Sequence, residues 1–209
     1  MELSRFPRVA EASAHGRFQP FHNDHMEYVL AAHSLCDFLW IGITKYDVTA
    51  ADLNPLGALR ERPENNPLTF FERARIIRES LIDAGVPAGS FGFVPFPIET
   101  PQRLHSFMAT SVPCYTTICE QWNRDKIDVL EAQRYEVRVL WERAAKKISG
   151  AAVRNDIIMG GSAWRAMVPA ATARAVEELD LRNRLLQLSR LDRTEQTAGE
   201  TRPSEPGAQ

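Results

Sequence analysis

Short apolar runs alternate along this chain with stretches whose apolar residues recur every three or four positions. Val9–His15, Phe38–Ile43, Phe91–Phe96, Cys114–Cys119 and Tyr135–Leu140 are the short runs. Their length and their turn-forming flanks predict strands. Residues Asp24–Ser34 carry Met26, Val29 and Leu30 on one helical face. Thr69 with Glu72 three positions later is a capping box, opening a helix of about four turns. Gly85-Val-Pro closes that helix. Ser149 is a natural N-cap for a helix running to Met159, and Val168-Pro169 opens the last long helix, with Pro at a permitted first-turn position.

Strand–helix alternation of this kind predicts an α/β fold: a Rossmann-like, doubly wound parallel sheet of about five strands with a C-terminal helical segment. Ligands of such sheets bind beyond the carboxyl ends of the strands, at the switch point. Residues 1–190 read as one domain. Residues 191–209, rich in Thr, Glu, Pro, Gly and Ser, read as a disordered tail. Residues 44–66 form a long loop leaving the ligand end of the Phe38–Ile43 strand. Such a loop is either a specificity element or a tolerated surface insertion.

Composition narrows the classes. The chain has 209 residues, 44% hydrophobic and 25% charged, which excludes a collagenous or wholly disordered protein. No apolar run nears the ~18–20 residues of a membrane span. The N-terminus lacks a charged-then-apolar signal segment, so a cytoplasmic location is expected. Cys36, Cys114 and Cys119 are too few and too scattered for a disulfide framework or a zinc site. A net charge of −2 argues against charge-driven nucleic-acid binding. Residues 191–209 hold four acids and two Arg, so residues 1–190 balance to zero. A polyanionic ligand must therefore be drawn by local groups. Of the 25 basic residues 21 are Arg and 4 are Lys. That excess reflects either a coding bias or the use of the guanidinium fork on phosphate.

The chemistry lies in His15-Gly-Arg-Phe-Gln-Pro-Phe-His-Asn-Asp-His25, which joins the first strand to the first helix. Gly16 permits a tight turn and Pro20 stiffens the loop. His22 and His25 fall on one side of the helix N-terminus, where free N–H groups and the positive dipole end favour anions. With Arg17 they make a polyphosphate site. A metal pair or two capping histidines are the plainer alternatives.

That string closely resembles the signature of the nucleotidyltransferase superfamily of the HxGH, cytidylyltransferase-like type. Its nearest likeness is to the archaeal-type nicotinamide-nucleotide adenylyltransferases. Asn66-Pro-Leu-Thr69 with Glu72-Arg73, Ile148-Ser-Gly-Ala-Ala-Val-Arg154, and Trp164 with Val168-Pro169 resemble further motifs of that family, in order. The resemblance implies in-line attack of an acceptor oxygen on the α-phosphate of a nucleoside triphosphate, with pyrophosphate leaving and Mg²⁺ held largely by phosphate and water. His22, His25 and Arg154 would be catalytic. Gly16, Arg17, Phe18, Gln19, Ser149 and Gly150 would bind the nucleotide. No residue is expected to ligate a metal directly. Homo-oligomers are common among such enzymes.

Three departures bear on the acceptor. Asp24 stands where the family has Gly, and is expected either to face solvent or to meet a metal-bound water. His105 stands where the family has a Trp that stacks on nicotinamide. The 44–66 loop is longer than the family's. Arg60, Arg62, Arg103 and His105 are the expected acceptor contacts, and suit a small anion better than a nicotinamide ring. The implied reaction is transfer of NMP from CTP or ATP to a small phosphonate or phosphate, as in cytidylyl activation in phosphonate biosynthesis. The alternative is a nicotinamide-nucleotide adenylyltransferase making NAD.

Overall fold

The structure, a computed structural model, describes residues 6–47 and 62–200, the last ten as backbone. Arg60 and residues 48–61 of the long loop lie outside the described residues. The chain runs β1 (Val9–Gly16), α1 (Asn23–His33), β2 (Cys36–Ile43), α2 (Phe70–Asp83), β3 (Phe91–Pro95), β4 (Cys114–Ile118), α3 (Gln121–Ala132) and β5 (Val137–Glu142). It continues through α4 (Gly150–Ile158), α5 (Trp164–Met167), α6 (Ala170–Glu178) and α7 (Leu181–Glu200). Two short 3₁₀ segments, Pro63–Asn65 and Pro101–Ser106, lie in the connections.

The five strands form one parallel sheet in the order β3-β2-β1-β4-β5. This is the expected doubly wound α/β sheet. The chain reverses direction across the sheet between β1 and β4, which makes that gap the switch point. The two strands pair only at Ser13 with Cys114 and Ala14 with Tyr115, and then part. The Tyr28 hydroxyl fills the start of the split. It accepts the His15 N–H at 3.0 Å and donates to the Tyr115 carbonyl at 2.6 Å. Two backbone groups left by the ladder are thus satisfied by one side chain.

Strand alternation sends side chains to two unequal cores. Ala12, Ala14, Leu39, Ile41, Ile43 and Tyr115 face a large cluster with α1, α2, α4, α6 and α7. Cys114 and Trp40 point the other way, into a smaller cluster with Phe96, Leu104, Met108, Leu130 and Tyr135. That second face carries α3, a helix absent from the sequence reading. Its sequence buries Asn123 and Lys126 beside Leu130, so its apolar stripe is interrupted.

Three local expectations change. Pro169 is the N-cap of α6 and not a first-turn residue. The last helical stretch is two helices, broken where Asp180 takes a φ of 44°. The α7 backbone runs to Glu200, through the first ten positions of the expected tail, whose Leu, Arg, Glu and Gln residues are good helix formers. No helix among the described residues is long and apolar enough to cross a membrane.

Candidate active site

A cavity of about 470 Å³ opens at the carboxyl ends of β1 and β4. The wall brings together most of the residues expected to bind nucleotide: Gly16, Arg17, Phe18, Gln19, His22, His25, Ser149, Gly150 and Arg154.

The two histidines form one unit. His22 is the N-cap of α1, and its Nδ1 accepts the His25 N–H at 3.4 Å. His25 Nδ1 accepts the His22 N–H at the same distance. The rings stack with centroids 3.6 Å apart. A capping box built from two imidazoles leaves each Nδ1 an acceptor, so in the neutral ring the proton sits on Nε2. Burial pushes His22 down to about 4. Burial first, then the positive fields of His22, Lys146 and Arg17, hold His25 well below the ordinary imidazole value. At neutral pH the pair therefore offers N–H donors and not positive charge.

The loop before them is fixed by sterics. A Cβ on Gly16 would stand 2.8 Å from the Phe18 ring, so Gly16 makes room for a side chain rather than for a left-handed turn. Phe18 itself holds the left-handed φ of 53° and is buried. Gln19 acts as a false strand: its side-chain amide donates to the Leu68 carbonyl at 2.8 Å and accepts the Leu68 N–H at 3.0 Å. Arg73, from the Glu-Arg pair, is almost fully buried and donates to the carbonyls of Thr69, Arg17, Thr44 and Lys45. It clamps the phosphate loop to the end of β2. Glu72 completes the Thr69 capping box and pairs with Arg184 of α7.

The second motif meets the first at the Gln19 carbonyl. Ser149 caps α4, accepting the Ala152 N–H at 3.1 Å. A Cβ on Gly150 would stand 2.7 Å from the Gln19 oxygen. Arg154 donates through Nη1 to that oxygen at 2.6 Å and through Nη2 to Asn65. Burial pushes Arg154 down to about 10, still charged at neutral pH. Its charge faces the cavity while two of its donors hold the wall together.

Asp24 does not simply face solvent. Its Oδ2 accepts the backbone N–H groups of Lys147 and Ile148, both at 3.0 Å. The carboxylate thus pins the segment leading into α4. With Glu120, which pairs with Lys146 at 2.6 Å, it supplies the carboxylates of the wall. Among the described residues no group of three His, Cys, Asp or Glu could hold a metal alone. This donor set suits a magnesium that arrives with a triphosphate and keeps phosphate and water as its main ligands.

Of the expected acceptor residues, Arg62, Arg103 and His105 are not gathered here, and Arg60 lies outside the described residues. Arg103 and His105 sit exposed on the second 3₁₀ segment, with the His105 ring stacked on Tyr135 at 5.7 Å. Neither lines the cavity. Arg62 caps the first 3₁₀ segment, 3.9 Å from Glu64. The wall instead carries His15, from the loop string but with no role assigned to it, and Thr116, Trp122, Asn123, Lys126 and Lys146, which the sequence reading does not single out. One signal could have found two of them. In a chain that uses Arg for 21 of 25 basic positions, each Lys is an exception, and Lys126 and Lys146 both reach this wall.

Comparison with known proteins agrees with this architecture. No family model matches the chain. It is 36% identical to a phosphonoformate cytidylyltransferase from Streptomyces viridochromogenes over 171 residues, 82% of this chain and 92% of that protein. It is 30% identical to a nicotinamide-nucleotide adenylyltransferase from Picrophilus torridus over 183 residues, 85% and 96% of the two chains. Among solved structures, a bifunctional NMN adenylyltransferase/ADP ribose pyrophosphatase from Francisella tularensis, complexed with AMP and a manganese ion, superposes with a TM-score of 0.59 at 13% identity. It covers 95% of this chain, which spans only 58% of that one, and at this identity the match speaks for the fold. The ordered motifs, the sheet and these two relatives together make the chain a nucleotidyltransferase, a member of the cytidylyltransferase-like family that holds phosphonoformate cytidylyltransferase and the archaeal-type nicotinamide-nucleotide adenylyltransferases.

Proposed function

We propose that this enzyme transfers CMP from CTP to a small phosphonate or phosphate, releasing pyrophosphate. An oxygen of the acceptor attacks the α-phosphorus. The bond from that phosphorus to the bridging oxygen breaks, and pyrophosphate leaves with the electron pair. The chain's own groups bind and orient. The Nε2–H groups of His22 and His25 donate to phosphate oxygens and strengthen as charge gathers on the leaving group. Arg17, Arg154 and the capped N-terminus of α4 hold the polyphosphate. Magnesium, when bound, neutralises charge on the triphosphate.

The observation that carries the acceptor class is the 36% identity to a phosphonoformate cytidylyltransferase across nearly the whole of both chains. A second reading, adenylyl transfer to nicotinamide mononucleotide, is favoured by Trp122 and Trp141, which give the wall aromatic surface on which a ring can stack. A pyrophosphate-release screen separates the two. It crosses ATP, CTP, GTP and UTP with phosphonoformate, methylphosphonate and nicotinamide mononucleotide. The proposal expects the highest kcat/KM for CTP with a phosphonate. Turnover confined to ATP with nicotinamide mononucleotide overturns it.

A further inference from the structure

Lys126 is a buried lysine with no carboxylate to hold its charge. It is 6% exposed and lines the cavity. Its Nζ makes no hydrogen bond or ion pair among the described residues and lies 5.4 Å from the centroid of the Trp122 ring. A buried ammonium without a partner is costly to the fold. The cost shows in its acidity: burial pushes Lys126 down to about 8, with repulsion from Lys146 adding.

Its neighbours share that condition. Thr116 Oγ1 is buried with no partner, and so are both ring nitrogens of His15, whose ring lies on Phe96. Asn123 spends its Oδ1 on the Cys119 and Glu120 N–H groups and also lines the cavity. These side chains surround the place where β1 and β4 part, on the α3 face of the sheet. Native interiors rarely leave so many polar groups unpaired in one spot unless something binds there.

Two cationic groups divide the cavity. The charges acting on His22 and His25 are Asp24, Lys146 and Arg17. Lys126 acts instead on His15 and Cys114, and Lys146 acts on the two histidines and on Lys126. In-line attack sets the acceptor's phosphoryl group across the α-phosphorus from the pyrophosphate served by the histidines, on the side of the cavity that Lys126 lines. Lys126 is therefore placed for the acceptor rather than for the leaving group. We propose that Lys126, with Thr116 and Asn123, is the seat for a second acidic group of the acceptor, so that the preferred acceptor is a compact molecule with a carboxylate beside its phosphoryl group. This rests on the phosphonate reading and deepens it.

The test uses the full chain and Lys126→Met, which keeps the side-chain volume and removes the charge. Titration calorimetry measures phosphonoformate, methylphosphonate, nicotinamide mononucleotide and CTP with magnesium, and thermal unfolding is followed alongside. Wild type should bind phosphonoformate at least ten-fold more tightly than methylphosphonate, which lacks the carboxylate. The variant should lose that preference, keep its CTP affinity within two-fold, and melt at a higher temperature than wild type. A functional charge is a burden to the fold, whereas a structural lysine would lower the melting temperature when removed. Equal weakening of CTP and phosphonoformate would assign Lys126 to the triphosphate and overturn the proposal. So would an unchanged preference in a folded variant. Tight binding of nicotinamide mononucleotide, with neither phosphonate bound by wild type, removes the phosphonate reading itself. In that case an unchanged nicotinamide mononucleotide affinity in Lys126→Met rejects the seat as well.

Discussion

Asp24 shows what one residue can do when it departs from its family. A carboxylate beside a polyphosphate repels it, yet here it holds two backbone amides of the segment entering α4. Charge and geometry can be separated. Asp24→Asn keeps an oxygen for both amides and removes the repulsion, so KM for the triphosphate should fall or stay level. Asp24→Ala loses both bonds and should raise that KM by about ten-fold, given that a bond to a charged group is worth roughly 1.5–3 kcal/mol. Steady-state kinetics on the two variants decides it. A large loss of kcat in Asp24→Asn would point to a metal-water contact instead. His25 is the complementary case. His25→Ala removes an N–H donor aimed at developing charge and should lower kcat by ~10²-fold or more. Near-normal turnover would remove the pair from the chemistry.

At the scale of elements, the conserved-looking strings turn out to be joinery as much as chemistry. Arg73 is the clearest instance. An arginine in a helix reads as a surface residue, but this one ties four carbonyls from three segments. Arg73→Met removes the guanidinium from all four carbonyls and should cost about 3 kcal/mol or more in urea unfolding, with a raised triphosphate KM. A variant as stable as wild type would contradict the clamp. The strands, α1, α2 and α4 were legible because apolar runs and caps are local signals. Helix α3 was not, because Asn123 and Lys126, which it buries, interrupt its apolar stripe. The motif residues from Gly16 to His25 and from Ser149 to Arg154, which share the cavity wall, were legible for the same local reason. The rest of the wall joins β1 to β4 and α3, about a hundred residues further along, and no spacing along the chain encodes that meeting.

For the whole molecule, acid should be destabilising well above the carboxylate range. Burial lowers His15, His22 and His25 below the 6.5 of an exposed imidazole. Between those values the unfolded chain binds protons that the folded chain refuses, so stability rises with pH there. It is fully present above about 6.5 and is lost as pH falls toward 4, where His22 titrates. His22 alone should account for about 2 kcal/mol between pH 7 and pH 5. Urea unfolding at the two values measures it, and a flat profile would contradict neutral, buried rings. The two cores of the sheet carry a last consequence. Among the described residues, the α1 face buries 28 residues in its cluster and the α3 face only 7. Local opening follows the thinner core. Amide hydrogen exchange should therefore be faster in α3 and the Pro101–Ser106 segment than in α1 and α2, and should slow there when acceptor binds. The enzyme would then keep the nucleotide half rigid and let the acceptor half breathe, so that acceptor entry is governed by motion of one layer against a fixed sheet.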